Sequence, residues 1–247
     1  MSRVVLVTGG ARGVGLGIVR GFVEAGDTVV TCGRTPDPSL DVRYRQADVR
    51  DSSQVDGLVS AVVEEFGRLD VVVNNAGGAP PADSATASPR LHEKIIALNL
   101  VAPLHVSQRA NTVMQQQESG GVIVMIGSVS GTRPSPGTAA YGAAKAGLAN
   151  LASSLAVEWA PKVRVNTVVV GPVHTELSHL HYGDEDGVAA VGETIPAGRL
   201  ATPADVAQAC LYLASPAASY VSGSTLTVHG GGERPAFLAA SNAAPTR

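Results

Sequence analysis

"VVLVTGGARGVGLGIVRGF", Val4 to Phe22, joins an unbroken apolar run, a glycine-rich turn and an apolar pattern of helical period. The run of valines and leucine reads as a strand buried on both faces, and Val14 to Ala25 reads as the helix that follows it. Between them lies "TGGARGVG", Thr8 to Gly15. Glycines at 9, 13 and 15 allow a tight turn, close approach of a pyrophosphate and close packing of helix on strand, with the helix N-terminus directed at the anion. Glycine-rich turns are common. A strand before this one and a helix after it are what point to a nucleotide site. The spacing, TGxxxGxG, departs from the GxGxxG of most dinucleotide turns.

Outward from this unit the same alternation continues. "DTVVTCG", "VRYRQAD", "LDVVVNN", "GVIVMIGS", "VRVNTVVV" and "STLTVHG" each read as a short buried strand, with longer helical segments such as Ser52 to Phe66 between them. Seven strands alternating with crossover helices predict an α/β fold: a doubly wound parallel sheet with helices on both faces. No linker, repeat or low-complexity tract interrupts residues 1–247, so one domain is expected. Two stretches resist the pattern, "GGAPPADSATASP" (77–89) and "HTELSHLHYGDEDGVAAVGET" (174–194). Both follow strands at the end where a doubly wound sheet binds ligands, so they are expected to face the substrate, with a lid at about 174–200.

Composition excludes several other classes. The chain is 45% hydrophobic, only 16% charged, and carries a net charge of -3, which leaves no basic stripe for a nucleic acid. No apolar run approaches the roughly 20 residues needed to span a bilayer. Cys32 and Cys210 lie far apart in apolar segments without a metal-type spacing and read as reduced core thiols. A cytoplasmic location is the expectation. His174, His179 and His181, with Asp184, Glu185 and Asp186, offer metal-ligating groups, but their spacing is irregular and no metal is expected.

Chemistry-bearing residues gather between Asn99 and Lys145. Tyr141 and Lys145, in "YGAAKAGLAN", stand at i and i+4, on one face of a helix. A phenol of ordinary pKa, about 10, is a poor proton shuttle at neutral pH, and a nearby cation favours its phenolate. Small neighbours, Gly142, Ala143, Ala144 and Ala146, leave room for a ligand along that face. YxxxK also occurs on solvated helices without any role. Ser128 ends the fifth strand, from which a hydroxyl can hydrogen-bond a carbonyl oxygen as negative charge grows on it; it can equally cap a helix. Asn99 precedes Pro103 by four residues. Proline has no N–H, so the Asn99 carbonyl loses its helical donor and a kink or a bound water is expected there.

Taken together, "TGGARGVG", "NNAG" at 74–77, "GS" at 127–128, YxxxK at 141–145 and "GPVHT" at 171–175 resemble, in order, the motifs of the short-chain dehydrogenase/reductase family. The resemblance runs from Val4 to Gly231 and lies with the single-domain branch, similar to 3-oxoacyl reductases. It implies a Rossmann-type sheet and a hydride-transferring enzyme. Ser128 and Tyr141 would orient a carbonyl, a reduced nicotinamide would deliver hydride to its carbon, and Tyr141 would protonate its oxygen. Lys145 would hold the nicotinamide ribose, and the Asn99 carbonyl would hold a water that extends the proton path to solvent. Asn74 would stabilise the sheet beside the cofactor.

For the cofactor the resemblance implies contacts from Gly9, Arg12, Gly13, Val14 and Gly15 in the glycine turn, and from Asp48 and Val49 at the adenine. It implies others from Asn75, Ala76 and Gly77 after the fourth strand, and from Gly171, Val173 and Thr175 after the sixth. The choice of dinucleotide falls after the second strand. Gly33 stands where a carboxylate would grip the adenosine ribose, and Arg34 follows it. A guanidinium pairs with a 2′-phosphate, and Arg12 adds a second charge, so NADP(H) is favoured over NAD(H). The alternative is a solvated Arg34, with Asp37 or Asp41 folding back onto the ribose of an NAD enzyme. One departure stands out: Val170 replaces the proline that usually precedes Gly171, and Pro172 follows it instead. His229 replaces a common Asp and receives no chemical role. A small-molecule ketone or secondary alcohol is the expected substrate, with a 3-oxoacyl thioester, a steroid ketone and a simple secondary alcohol all open. A homotetramer using the tail with Phe237 and Leu238 is implied. A dinucleotide sensor without chemistry is the alternative of another class.

Overall fold

Each of the seven runs read as a strand forms one in the computed structural model, which describes residues 2–35 and 41–240. The strands are β1 (Val4–Thr8), β2 (Thr28–Gly33), β3 (Arg43–Gln46), β4 (Val71–Asn74), β5 (Gly121–Ser128), β6 (Val163–Val170) and β7 (Thr225–Val228). All pair in parallel, in the order β3-β2-β1-β4-β5-β6-β7. The order reverses between β1 and β4, and a crevice opens at the carboxyl ends of those two strands.

Side chains of the central strands alternate between two cores. Leu6, Val72, Ile123 and Val165 face helices α2 (Ser52–Phe66), α4 (Ala102–Met114) and α5 (Ala139–Glu158). Val5, Val7, Val73 and Val168 face α1 (Gly13–Glu24) and α8 (Pro203–Ala214). Burial on both faces explains why these strands read as continuous apolar runs. Helix α1 can approach α8 closely because a Cβ at Gly17 would meet that of Pro203 at 2.3 Å, and one at Gly21 would meet that of Ala207 at 2.9 Å.

Local signals set the helix ends. Asp51 caps α2, its carboxylate accepting from the N–H groups of Ser53 and Gln54 at 2.9 and 3.3 Å, and Gly67 ends it at φ 73. Thr202 and Asp205 form a reciprocal capping box on α8, with Pro203 in its first turn. Helix α1 starts one residue before the sequence pattern indicated, and α2 spans the residues expected of it. The stretch from 77 to 88 stays irregular until α3 (Pro89–Ile96), capped by Ser88. The second irregular stretch is instead folded into two short helices, α6 (His179–Tyr182) and α7 (Glu185–Thr194), because Asp184 accepts from the Gly187 N–H at 3.0 Å and caps α7. The short α9 (Ala236–Ala240) carries exposed Phe237 and Leu238. Among the described residues no helix is long and apolar enough to cross a membrane.

Candidate active site

The glycine turn is built by its neighbours. Gly9 and Gly13 have φ of 67 and 53, in the left-handed region that favours glycine. At Gly15 a Cβ would stand 2.2 Å from the Gly9 carbonyl oxygen, so only glycine lets α1 start so close to β1. Asn75 ties this turn to the end of β4: its amide donates to the carbonyls of Thr8 and Gly9, both at 3.0 Å. The Thr8 hydroxyl accepts from the N–H groups of Asn75 and Ala76, also at 3.0 Å. Asn74 bonds elsewhere, donating to the Ser107 hydroxyl at 2.9 Å and approaching the Met125 sulfur at 3.3 Å. It thus links β4 to α4 and β5, while the neighbouring asparagine holds the nucleotide turn. Sequence reasoning missed Thr8 as an acceptor, since a strand-end threonine carries no distinguishing pattern.

One continuous cleft of about 1130 Å³ runs along the carboxyl ends of the strands. Its floor is the glycine turn, with Gly9, Arg12, Gly13, Val14 and Gly15 all at its wall. Arg34, Asp48 and Val49 line one end, together with Tyr44 and Arg50, which the sequence did not single out. Asn75, Ala76 and Gly77 line the middle. Ser128, Tyr141, Lys145, Gly171, Val173 and Thr175 line the other end. Of the catalytic and cofactor-contacting residues that the family resemblance implies, only Asn99 is not at the wall. It is fully buried beneath it, exchanging amide hydrogen bonds with the backbone of Gly78, N–H to Oδ1 and Nδ2 to carbonyl, each at 2.9 Å. Asp37 lies outside the described residues, and Asp41 is exposed and absent from the cleft wall.

A carboxylate tests whether the turn accepts an anion. Helix α1 has no side-chain cap of its own and no acidic residue in its first turn, and the Gly13 N–H donates to Glu176 Oε1 at 2.9 Å. An anionic oxygen from the loop after β6 is therefore already held where a pyrophosphate would lie, which fits a dinucleotide. Asp48 is bound by Arg50, whose Nε donates at 2.9 Å, and this pair holds the carboxyl below its ordinary pKa. Arg34 and Arg12 make no ion pair with any described residue.

At the chemical end, α5 presents Tyr141 and Lys145 to the cleft on one face, as their spacing predicts. The Lys145 ammonium sits 5.6 Å from the centre of the Tyr141 ring and donates to the Ile126 carbonyl at 2.8 Å. The picture of an unperturbed lysine cation producing an acidic phenol needs correction. Lys145 is 4% exposed, and burial lowers its pKa from 10.5 to about 8. Burial raises the Tyr141 phenol above 10, and a hydrogen bond with the Ser128 side chain pulls it partly back. Tyr141 is thus a phenol at neutral pH, poised to give a proton. The Ser128 hydroxyl also accepts from the Ser130 N–H at 3.2 Å. A Cβ at Gly77 would meet Asn99 Oδ1 at 2.7 Å and Lys145 Nζ at 3.3 Å, so glycine there keeps the wall open beside the lysine.

The helix break at Pro103 takes a definite form. Residues Ala97–Val101 make a π turn, with the Ala102 N–H bonded to the Ala97 carbonyl, rather than a simple kink. The wider turn ends just before Pro103, whose missing N–H leaves the Asn99 carbonyl without its i+4 donor. Elsewhere, no three His, Cys, Asp or Glu side chains converge among the described residues. Both thiols are buried and unpaired, with desolvation pushing each up to about 12.

A family model described as enoyl-(acyl carrier protein) reductase matches residues 9–233. The chain is 38% identical over 231 residues to the 3-oxoacyl-[acyl-carrier-protein] reductase MabA of Mycobacterium bovis, covering 94% of this chain and 93% of that one. It is 35% identical over 251 residues to a 3alpha-hydroxysteroid dehydrogenase of Mediterraneibacter gnavus, covering 93% and 96%. Among solved structures it is similar to ElxO with NADP bound, with a TM-score of 0.86 and 29% identity, covering 94% of this chain and 98% of that one. With a nicotinamide dinucleotide cleft and relatives named reductases and dehydrogenases, the chain belongs to the short-chain dehydrogenase/reductase family, as an oxidoreductase acting on alcohol or ketone groups.

Proposed function

We propose that this protein interconverts a ketone and a secondary alcohol with NADP(H), using Tyr141 as general acid in reduction and general base in oxidation. The observation that carries the reading is the convergence of Ser128, Tyr141 and Lys145 at one end of a cleft whose other end bears Gly33 and Arg34. A reduced nicotinamide bound in this cleft supplies the hydride that a carbonyl carbon accepts. Ser128 donates a hydrogen bond to the carbonyl oxygen, and Tyr141 gives that oxygen its phenolic proton as charge builds. Lys145, buried and bonded to the Ile126 carbonyl, holds the ribose hydroxyls and keeps positive charge beside the phenol it replenishes. Pro103 cannot donate to the Asn99 carbonyl, which supports a water there as the next member of the proton path.

The likeness to an NADP-bound structure and the pairing of Gly33 with Arg34 support NADP(H). The likeness to a 3-oxoacyl reductase supports a 3-oxoacyl thioester as substrate, and that to a hydroxysteroid dehydrogenase favours a steroid ketone as the second reading. Exposed Tyr220, Phe237 and Leu238 support a homotetramer, which light scattering reads against the 25.0 kDa of one chain. The central test follows NADPH and NADH oxidation over a panel of 3-oxoacyl thioesters, 3-oxosteroids and simple ketones. Turnover with NADPH on the thioesters is the expected outcome. Dinucleotide binding without turnover on any carbonyl would support a sensor instead.

A further inference from the structure

The cleft end that holds Arg34 contains a residue with a further part in cofactor choice. Gly33 ends β2 without a left-handed φ, so its backbone does not require glycine. What a side chain there would meet is Tyr44, on the neighbouring strand β3. A Cβ at Gly33 would stand 2.6 Å from the Tyr44 phenolic oxygen and 3.6 Å from Cζ, and its nearest contacts are all with that one ring. The same oxygen donates to the Thr35 carbonyl at 2.7 Å, and Gln46, also on β3, donates to the Arg34 carbonyl at 2.8 Å. Two side chains of β3 therefore pin the two peptide carbonyls after Gly33, and both Tyr44 and Arg34 line the cleft.

We propose that Tyr44 is a positioning residue for cofactor specificity: its phenol occupies the space a ribose-binding carboxylate at position 33 would need, and its bond to Thr35 holds Arg34 toward a 2′-phosphate. This rests on the NADP(H) reading and deepens it. The physical logic is discrimination by exclusion as well as attraction. Arg34 attracts the phosphate through charge-assisted hydrogen bonds, while Tyr44 removes the room for the side chain that would prefer the bare ribose. A consequence follows for redesign: an acidic residue at 33 must displace the phenol and break its bond to the Thr35 carbonyl, so on its own it is expected to gain little affinity for NADH.

The test is equilibrium binding of NADPH and NADH to the full chain, read by nicotinamide fluorescence, for wild type, Tyr44→Phe, Gly33→Asp and the double variant Gly33→Asp/Tyr44→Ala. A wild type that binds NADH at least as tightly as NADPH refutes the NADP(H) reading itself. With that reading intact, Tyr44→Phe is expected to weaken NADPH about fivefold while NADH changes less than about twofold, since one hydrogen bond behind Arg34 is lost. Gly33→Asp is expected to lose NADPH by about a hundredfold through like-charge repulsion without gaining NADH. The double variant is expected to bind NADH at least about tenfold more tightly than Gly33→Asp alone, while Tyr44→Ala by itself, measured alongside, changes NADH binding by less than about twofold, a coupling that independent sites would not produce. Unchanged NADPH-to-NADH preference in Tyr44→Phe overturns the proposal. So does a Gly33→Asp protein that already binds NADH as tightly as the double variant. Tyr44→Phe preserves the ring and its packing, so the conclusion does not depend on the double variant folding.

Discussion

Tyr141→Phe is expected to lower kcat by about a thousandfold, within the range that a positioned general acid contributes, while NADPH dissociation changes by less than about threefold. The substitution removes one oxygen. The ring that faces the Lys145 ammonium at 5.6 Å remains, as does the wall it forms beside the cofactor groove. What disappears is the proton donor and the hydrogen bond with Ser128 that moderates its pKa. Burial keeps this phenol protonated at neutral pH, so the loss removes a donor that is loaded under assay conditions. Single-turnover reduction followed by NADPH absorbance, with binding measured separately by fluorescence, separates the two effects. A variant that keeps a tenth of the wild-type rate would remove Tyr141 from the mechanism.

Lys145→Met is expected to reduce kcat/KM by about a hundredfold or more, because a buried donor and a positive charge are lost together from a desolvated site. Its pH signature is the sharper test. Burial lowers the Lys145 pKa to about 8, so the ammonium is present below that pH and is lost above it. Tyr141, raised by burial, stays protonated through the same window. The reductive rate should therefore be flat at neutral pH and fall as pH rises through about 8. Stability moves the other way. The unfolded chain keeps an ordinary lysine pKa of 10.5, so between about 8 and 10.5 it binds more protons than the folded protein. The Lys145 contribution to unfolding free energy then rises with pH across that window. Wild type should gain stability relative to Lys145→Met between those limits, as denaturant midpoints at a series of pH values would record. A pH-independent difference would mean the lysine is ordinary in the fold.

Much of this protein is legible in one dimension because the relevant physics is local or periodic. Valine-rich runs declare parallel strands, since a strand covered on both faces must be apolar throughout; β1, β2, β4, β5 and β6 take that form, whereas the edge strands β3 and β7, also read as buried, are largely exposed or half-buried. The glycine turn declares itself because left-handed φ at Gly9 and Gly13 and contact at Gly15 admit almost no other residue. Tyr141 and Lys145 share a face because a helix repeats every 3.6 residues. Helices α6 and α7 were missed because α6 has only four residues and the apolar residues of α7, Val188 to Val191, form one contiguous run rather than the stripe by which a longer helix is recognised.

Tertiary structure alone decided the properties that depend on which atoms of distant segments meet. Lys145 loses its ordinary pKa because the fold surrounds it, and nothing in YxxxK records how much water remains. Glu176 reaches the N–H of Gly13, and Asn75 rather than Asn74 holds the glycine turn, through contacts across 163 and 66 residues of chain. Tyr44 fills the space before Gly33 because β3 lies beside β2 at one register and not another. Periodicity and turn chemistry are carried by neighbours in sequence and can be read there. Desolvation, anion capture and steric exclusion arise between segments, and only the assembled sheet brings them about.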